Sequence, residues 1–178
     1  MTARSIPSAS LKQFLKKEIE NSKRILDIGC GDGTIAIYLI SCLNCYINGI
    51  DLDKGKIHRA NEKFRKKPKK GLALCRLCDS RKINKLFRKH TFDAVLITHT
   101  IHHLIDINDV LLKARYTLKP SGKIFIGEYR RDYGEKIDNC PRFSNKKIKS
   151  MLRTAGFRNI KKHLIHKNFV MIAAVNGR

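Results

Sequence analysis

Ile25-Leu26-Asp27-Ile28-Gly29-Cys30-Gly31-Asp32-Gly33 decides how this chain is read. A short apolar strand runs into three alternating glycines, and an apolar helix follows from Thr34. Strand, glycine loop and helix in that order open a βαβ unit. Glycine lets the backbone approach a ligand closely and adopt conformations that other residues avoid. Thr34 stands where the dinucleotide pattern G-x-G-x-x-G would carry its last glycine, so the loop is not that fingerprint.

Outward from the loop, the chain alternates strand and helix. Strands are predicted over 24–28, 45–50, 72–77, 92–98 and 123–128, the fourth reading as buried on both faces. Helices are predicted over 34–43, 53–65, 82–88 and 108–118, the last with Leu111, Leu112 and Tyr116 inward. Ser10 is placed as the cap of a helix over 11–21, and Ser144 as the cap of one ending at Thr154. Strands over 157–165 and 168–175 close the chain as an antiparallel pair. The alternation implies an α/β fold, a parallel sheet with helices on both faces. At 178 residues a single domain is expected over 1–178. It would comprise a helix over 1–22, a cofactor-binding core over 23–128 and a substrate-side connection with closing strands over 129–178.

In such sheets ligands sit beyond the carboxyl ends of the strands. Three of those ends carry an acid. Asp27 precedes the glycines, where a carboxylate would repel a pyrophosphate but receive an ammonium or face a sulfonium. Asp51 ends the second strand, about 20 residues on, where it can accept from both hydroxyls of a ribose. Asp79-Ser80 ends the third, suited to an adenine edge. Three acids at adjacent strand ends suit a cationic nucleoside. Asp32 and Asp53 read as a surface charge and a helix cap.

The chain resembles a class I S-adenosylmethionine-dependent methyltransferase, of the small type similar to quinone-biosynthesis methyltransferases. The resemblance rests on Leu26-Asp27-Ile28-Gly29-Cys30-Gly31-Asp32-Gly33, Gly49-Ile50-Asp51-Leu52-Asp53, Cys78-Asp79-Ser80, Phe92-Asp93-Ala94-Val95 through His102-His103-Leu104, and Leu118-Lys119-Pro120-Ser121-Gly122-Lys123. It implies a Rossmann-like seven-stranded sheet of order 3-2-1-4-5-7-6 with the seventh strand antiparallel. It also implies S-adenosylmethionine bound by Asp27, Gly29, Cys30, Gly31, Gly33, Asp51, Leu52, Asp79, Ser80 and Thr98.

Thr98-His99-Thr100-Ile101-His102-His103 follows the fourth strand, and in that family this segment runs beside the transferable methyl group. Methyl transfer from a sulfonium is an in-line displacement, so alignment supplies much of the acceleration. A base is needed only where the acceptor loses a proton near the transition state. His99 and His102 are the candidates, because imidazole titrates near neutrality. His103 reads as packing beneath the sheet. Glu128, Tyr129 and Tyr133 are placed to line the same pocket.

Cys42-x-x-Cys45 and Cys75-x-x-Cys78 have the spacing of zinc ligands. Cys45 begins the second strand and Cys78 ends the third, which puts them roughly 15–20 Å apart. Buried thiols in a reducing compartment are the preferred reading, with no metal expected.

Lys and Arg total 38 against 15 acids, a net charge of +23. Such a field draws in anions. RNA or an acidic protein fits it, as does an anionic small molecule. The run Arg65-Lys66-Lys67-Pro68-Lys69-Lys70 reads as a solvated loop at the end of the sheet away from the methyl group. No apolar run is long enough to span a bilayer and the first ten residues lack a signal-peptide core, so a cytoplasmic protein without membrane contact is expected. The short segments flanking the core leave the site open, to be walled by a second subunit of a homo-oligomer or by a macromolecular acceptor. A small-molecule acceptor is favoured. Methylation of RNA or protein is the first alternative, and a non-catalytic partner subunit with this fold is the second.

Overall fold

β1 (Arg24–Ile28) lies at the centre of a seven-stranded sheet of order β3-β2-β1-β4-β5-β7-β6. The computed structural model describes residues 8–66, 71–130 and 142–177. β2 (Tyr46–Asp51), β3 (Leu72–Leu77), β4 (Phe92–Thr98) and β5 (Leu118–Tyr129) run parallel to β1. β7 (Phe169–Asn176) is antiparallel to both β5 and β6 (Phe157–His166). The order and the direction of the seventh strand are those the resemblance implied.

The pleat sends alternate residues of β1 to opposite faces. Ile25 joins one core with Leu11, Leu15, Leu39 and Phe64, from α1 (Ser8–Glu18), α2 (Thr34–Cys42) and α3 (Lys54–Lys66). Leu26 and Ile28 join the other, with Leu111, Ile148 and Leu152 from α5 (Ile107–Thr117) and α6 (Asn145–Thr154). Both faces of the strand are covered, which is why its apolar run is nearly unbroken. Each fully buried Ile or Leu here contributes roughly 1.5–3 kcal/mol. Asp27 falls on the α1–α2 face and is 1% exposed.

Local structure departs from the sequence reading in four places. α1 begins at Ser8, so Ser10 lies inside the first turn, while Leu11, Leu15 and Ile19 form the buried stripe. In α5 the buried stripe is Val110, Leu111, Ala114 and Thr117, leaving Leu112 and Tyr116 at 52% and 43% exposed. The predicted helix over 82–88 is a 3-10 turn, Ser80–Lys82, and one α-helical turn, α4 (Ile83–Leu86). β5 starts at Leu118, paired with Phe92, and the Lys119-Pro120-Ser121-Gly122 segment is absorbed as an irregularity before Lys123 pairs with Ala94. Ser144 caps α6 as expected, accepting from the Lys147 amide. Lys67–Lys70 of the basic run, Tyr133 and Cys140 lie outside the described residues.

Candidate functional site

The loop after β1 is held by β2. The amides of Gly29 and Cys30 both donate to the Ile50 carbonyl, at 2.8 and 3.1 Å. Gly31 N–H donates to Asp51 Oδ2 at 2.9 Å, and Asp51 Oδ1 accepts from the Asp53 amide at 2.9 Å. The Asp51 carboxylate is thus fixed at the end of β2 by backbone donors on both sides. Gly29, Gly31 and Gly33 have φ of 74, 54 and 74°, the left-handed region that costs other residues about 1–2 kcal/mol. A Cβ on Gly29 would come within 2.2 Å of the Thr100 side chain, whereas one on Gly31 would point into open space. Gly29 is required by packing; at Gly31 the space belongs to a cavity.

That cavity, about 490 Å³, is bounded by Gly29, Gly31, Asp51, Leu52, Ser80 and Thr98, together with His99 and His103. A second, of about 270 Å³, opens on the other side of the loop between Asp27, Cys30, Leu11 and Ile35. Gly29, Thr98 and His99 line both. The two spaces therefore meet at the ends of β1 and β4, the position expected of a ligand in a parallel sheet.

Asp27 Oδ1 is buried without a hydrogen-bond partner. Burial first, and the nearby Asp51 charge second, push its carboxyl up to about 7. An orphaned carboxylate of this kind is costly unless something positive or hydrogen-bonding meets it.

Asp79 is placed differently. Its carboxylate accepts from the Arg81 amide and guanidinium, at 2.9 and 2.5 Å, and these bonds hold it down to about 2. It caps the 3-10 turn and does not line the cavity; its neighbours Cys78 and Ser80 do. Asp32 pairs with Lys63, and Asp53 accepts from the Lys56 amide at 2.9 Å, so both serve local structure. Gly33 carries the N-terminus of α2.

The histidine segment divides into three roles. His99, at φ 53°, stacks on Phe169 at 4.5 Å and meets Tyr129 edge-on at 4.9 Å. Its Nε2 is buried and unpartnered, and burial pushes its pKa down to about 4. His99 is therefore neutral at pH 7 and a weak base, contrary to the near-neutral titration expected of it. His102 does not line either cavity. Its Nδ1 lies 2.5 Å from Glu128 Oε2, and Glu128 Oε1 accepts from Arg142 Nη1 at 3.0 Å. Arg142 also lies over the Tyr129 ring, 5.1 Å from its centroid. His103 is exposed on the cavity wall rather than packed beneath the sheet. The sequence reading missed Lys56 as a lining residue and Arg142 as Glu128's partner. Neither carries a motif, and only proximity reveals them.

The cysteines sort by strand position. Cys45 precedes Tyr46 at the start of β2, and Cys78 follows Leu77 at the end of β3. Cys75 instead faces Cys30, Sγ to Sγ at 3.3 Å. This contact first, and burial second, push the Cys30 thiol far above its ordinary value. Cys30 thus packs the loop against β3 as an inert thiol.

A family described as methyltransferase domain matches residues 26–126, a span that runs from β1 into β5. The chain belongs to the methyltransferase domain family. Its fold is that of class I S-adenosylmethionine-dependent methyltransferases. It is 27% identical over 106 residues to 27-O-demethylrifamycin SV methyltransferase of Amycolatopsis mediterranei, covering 60% of this chain and 38% of that one. An S-adenosylmethionine-dependent methyltransferase of Aquifex aeolicus superposes with a TM-score of 0.79 at 22% identity, over 92% of this chain and 88% of that one. Phosphoethanolamine N-methyltransferase 2 of Haemonchus contortus, in complex with S-adenosyl-L-methionine, gives 0.78 at 19% identity, over 96% and 52%. The chain spans 31% to 38% of the length of the first curated relatives it matches.

Proposed function

We propose that the chain transfers a methyl group from S-adenosylmethionine to a small molecule. One observation carries the reading: the orphaned Asp27 carboxylate lines a cavity that shares Gly29 and Thr98 with a larger one. The donor set fits this cofactor. Asp27 would receive its ammonium, Gly29 and Gly31 would admit it close to the backbone, and Asp51 would accept from the ribose hydroxyls. Leu52, Cys78 and Ser80 would border the adenine, and Thr98 would sit where the two cavities meet. When bound, the cofactor supplies an electrophilic methyl on a sulfonium.

The protein's own contribution is then largely alignment and exclusion of water. Neutral His99, set on Phe169 and Tyr129, lines both cavities and offers one unpartnered nitrogen for positioning. His102 is the candidate base. Glu128 Oε2, 2.5 Å from Nδ1, sets the orientation of its ring.

A small-molecule acceptor is supported by the named relatives, which act on a rifamycin and on phosphoethanolamine. The net charge of +23 favours an anionic one. Among the described residues no helix is long and apolar enough to cross a membrane, and Cys30, Cys42, Cys45, Cys75 and Cys78 are free thiols. We therefore favour the cytoplasm as its compartment.

Transfer of labelled methyl into fractionated cell extract tests the proposal. Label in the small-molecule fraction is expected. Label confined to RNA or protein would move the acceptor class. Neither transfer nor cofactor binding would leave the fold as that of a non-catalytic partner subunit.

A further inference from the structure

A third cavity, of about 420 Å³, lies beside the first residues of β1 and β2, at the ends of those strands away from Gly29 and Asp51. Arg24, Tyr46, Asn48, Arg76, Leu86 and Phe87 line it. It exists because α4 is a single turn, too short to cover the β2–β3 half of this sheet face. Leu72 and Leu74 of β3 are accordingly 59% and 37% exposed.

Its two charged side chains are both donors, and the oxygen of its one amide is already committed. Asn48 is 3% exposed, and its Oδ1 accepts from Arg76 Nη1 at 2.8 Å. That bond orients the amide and leaves Nδ2 as a buried donor without a partner. Arg24 lies over the Tyr46 ring, 5.8 Å from its centroid. Among the described residues neither guanidinium meets a carboxylate. Asp93, which meets the Arg24 backbone, is spent on Lys119 Nζ and on the amides of Lys23 and Arg24. Two uncompensated guanidiniums and an orphaned amide N–H therefore face one cavity. Its remaining walls are a phenol, a phenyl ring and a leucine.

We propose that this cavity binds a small organic phosphate. Arginine matches phosphate oxygens with paired N–H donors, and here two are available, with Asn48 Nδ2 as a further donor. The Tyr46 and Phe87 rings and Leu86 would take the apolar or aromatic body of the ligand. The site is independent of the methyl-transfer reading, since none of its lining residues borders the two cavities at the glycine loop.

Phenyl phosphate is the probe, titrated calorimetrically into the full chain in saturating S-adenosylhomocysteine, which fills the cofactor cavity. One-to-one binding at millimolar concentration or tighter is expected, with phenol not binding and inorganic phosphate binding more weakly. R24M and R76M should each weaken it tenfold or more with unchanged S-adenosylhomocysteine affinity, and R24M, at the surface, should keep the melting temperature. Asp51→Ala should leave it intact. Absence of saturable binding would overturn the proposal. So would equal binding by the R24M/R76M double variant, which would mark general attraction to a basic protein, or displacement by S-adenosylhomocysteine, which would place the ligand at the glycine loop. An R76M variant that melts early is replaced by R24M, whose side chain is at the surface.

Discussion

Glu128 Oε2 lies 2.5 Å from His102 Nδ1, and both side chains are almost wholly withdrawn from solvent, at 1% and 3% exposure. The pair joins the end of β5 to the turn after β4, and Arg142 balances its charge from the segment leading into α6. A buried carboxylate bound to one ring nitrogen holds the ring in place, so the other nitrogen is the one left for chemistry.

If His102 takes a proton from the acceptor, His102→Ala should lower kcat by roughly 10²–10⁴. Unchanged turnover would remove His102 from the chemistry. Glu128→Gln would remove the carboxylate charge that Arg142, 13% exposed, pairs with at 3.0 Å. Breaking a buried pair in this way costs roughly 3–5 kcal/mol, readable in urea denaturation.

Asp51→Ala removes the acceptor of the Gly31 amide together with the proposed ribose ligand. Calorimetry should show cofactor affinity falling at least tenfold. Asp79→Ala should cost less affinity, because the Asp79 carboxylate is already engaged by Arg81. Equal losses at the two positions would mean that Asp79 turns into the cavity when the cofactor binds.

Asp27 links cofactor binding to pH. Its carboxyl sits at about 7 in the folded protein against an ordinary 3.8. A ligand ammonium would favour the charged form, so binding below pH 7 must expel a proton. Affinity should rise about tenfold per pH unit up to pH 7 and level off above it. A flat profile from pH 5.5 to 8 would count against the ammonium contact.

The same group shapes stability of the free protein. A raised folded-state pKa stabilises fully below the unfolded value, and that contribution is lost as pH rises through about 7. Asp27→Asn mimics the protonated acid. It should raise the melting temperature at pH 8 by about 4 °C or more, since each kcal/mol is worth roughly 2–4 °C at this chain length. At pH 5 the gain should shrink, and cofactor affinity at pH 8 should fall.

Gly29 and Gly31 should separate stability from binding. Gly29→Ala drives a Cβ to within 2.2 Å of Thr100 on top of a left-handed φ, and should destabilise by about 2–4 kcal/mol. Gly31→Ala meets no atom within 4 Å, so its stability loss should stay near the 1–2 kcal/mol of conformational strain. Its methyl enters the larger cavity, so the main effect should appear in cofactor affinity.

Much of the fold was legible because its signals are local. The strand–glycine–helix run at Ile25 to Leu39 and the alternation after it gave the sheet, and β3 and β4 have the predicted ends. Asp51 was legible as well, because a strand end beyond a glycine loop has few alternative places. Where competing local contacts decide, the reading failed. Asp79 turns to an arginine two residues on, and α5 rotates Leu112 and Tyr116 outward because Val110, Leu111 and Ala114 take the sheet face.

The sequence by itself determined the order of elements and the loop on which a cofactor would lie, since periodicity and glycine spacing act over a few residues. Only the tertiary structure decided that Glu128 holds His102 across 26 residues and that Asp27 is buried without a partner. Both depend on which strand ends converge and which helices cover them. Burial removes the water that would otherwise satisfy a carboxylate, and no local pattern of residues records that loss.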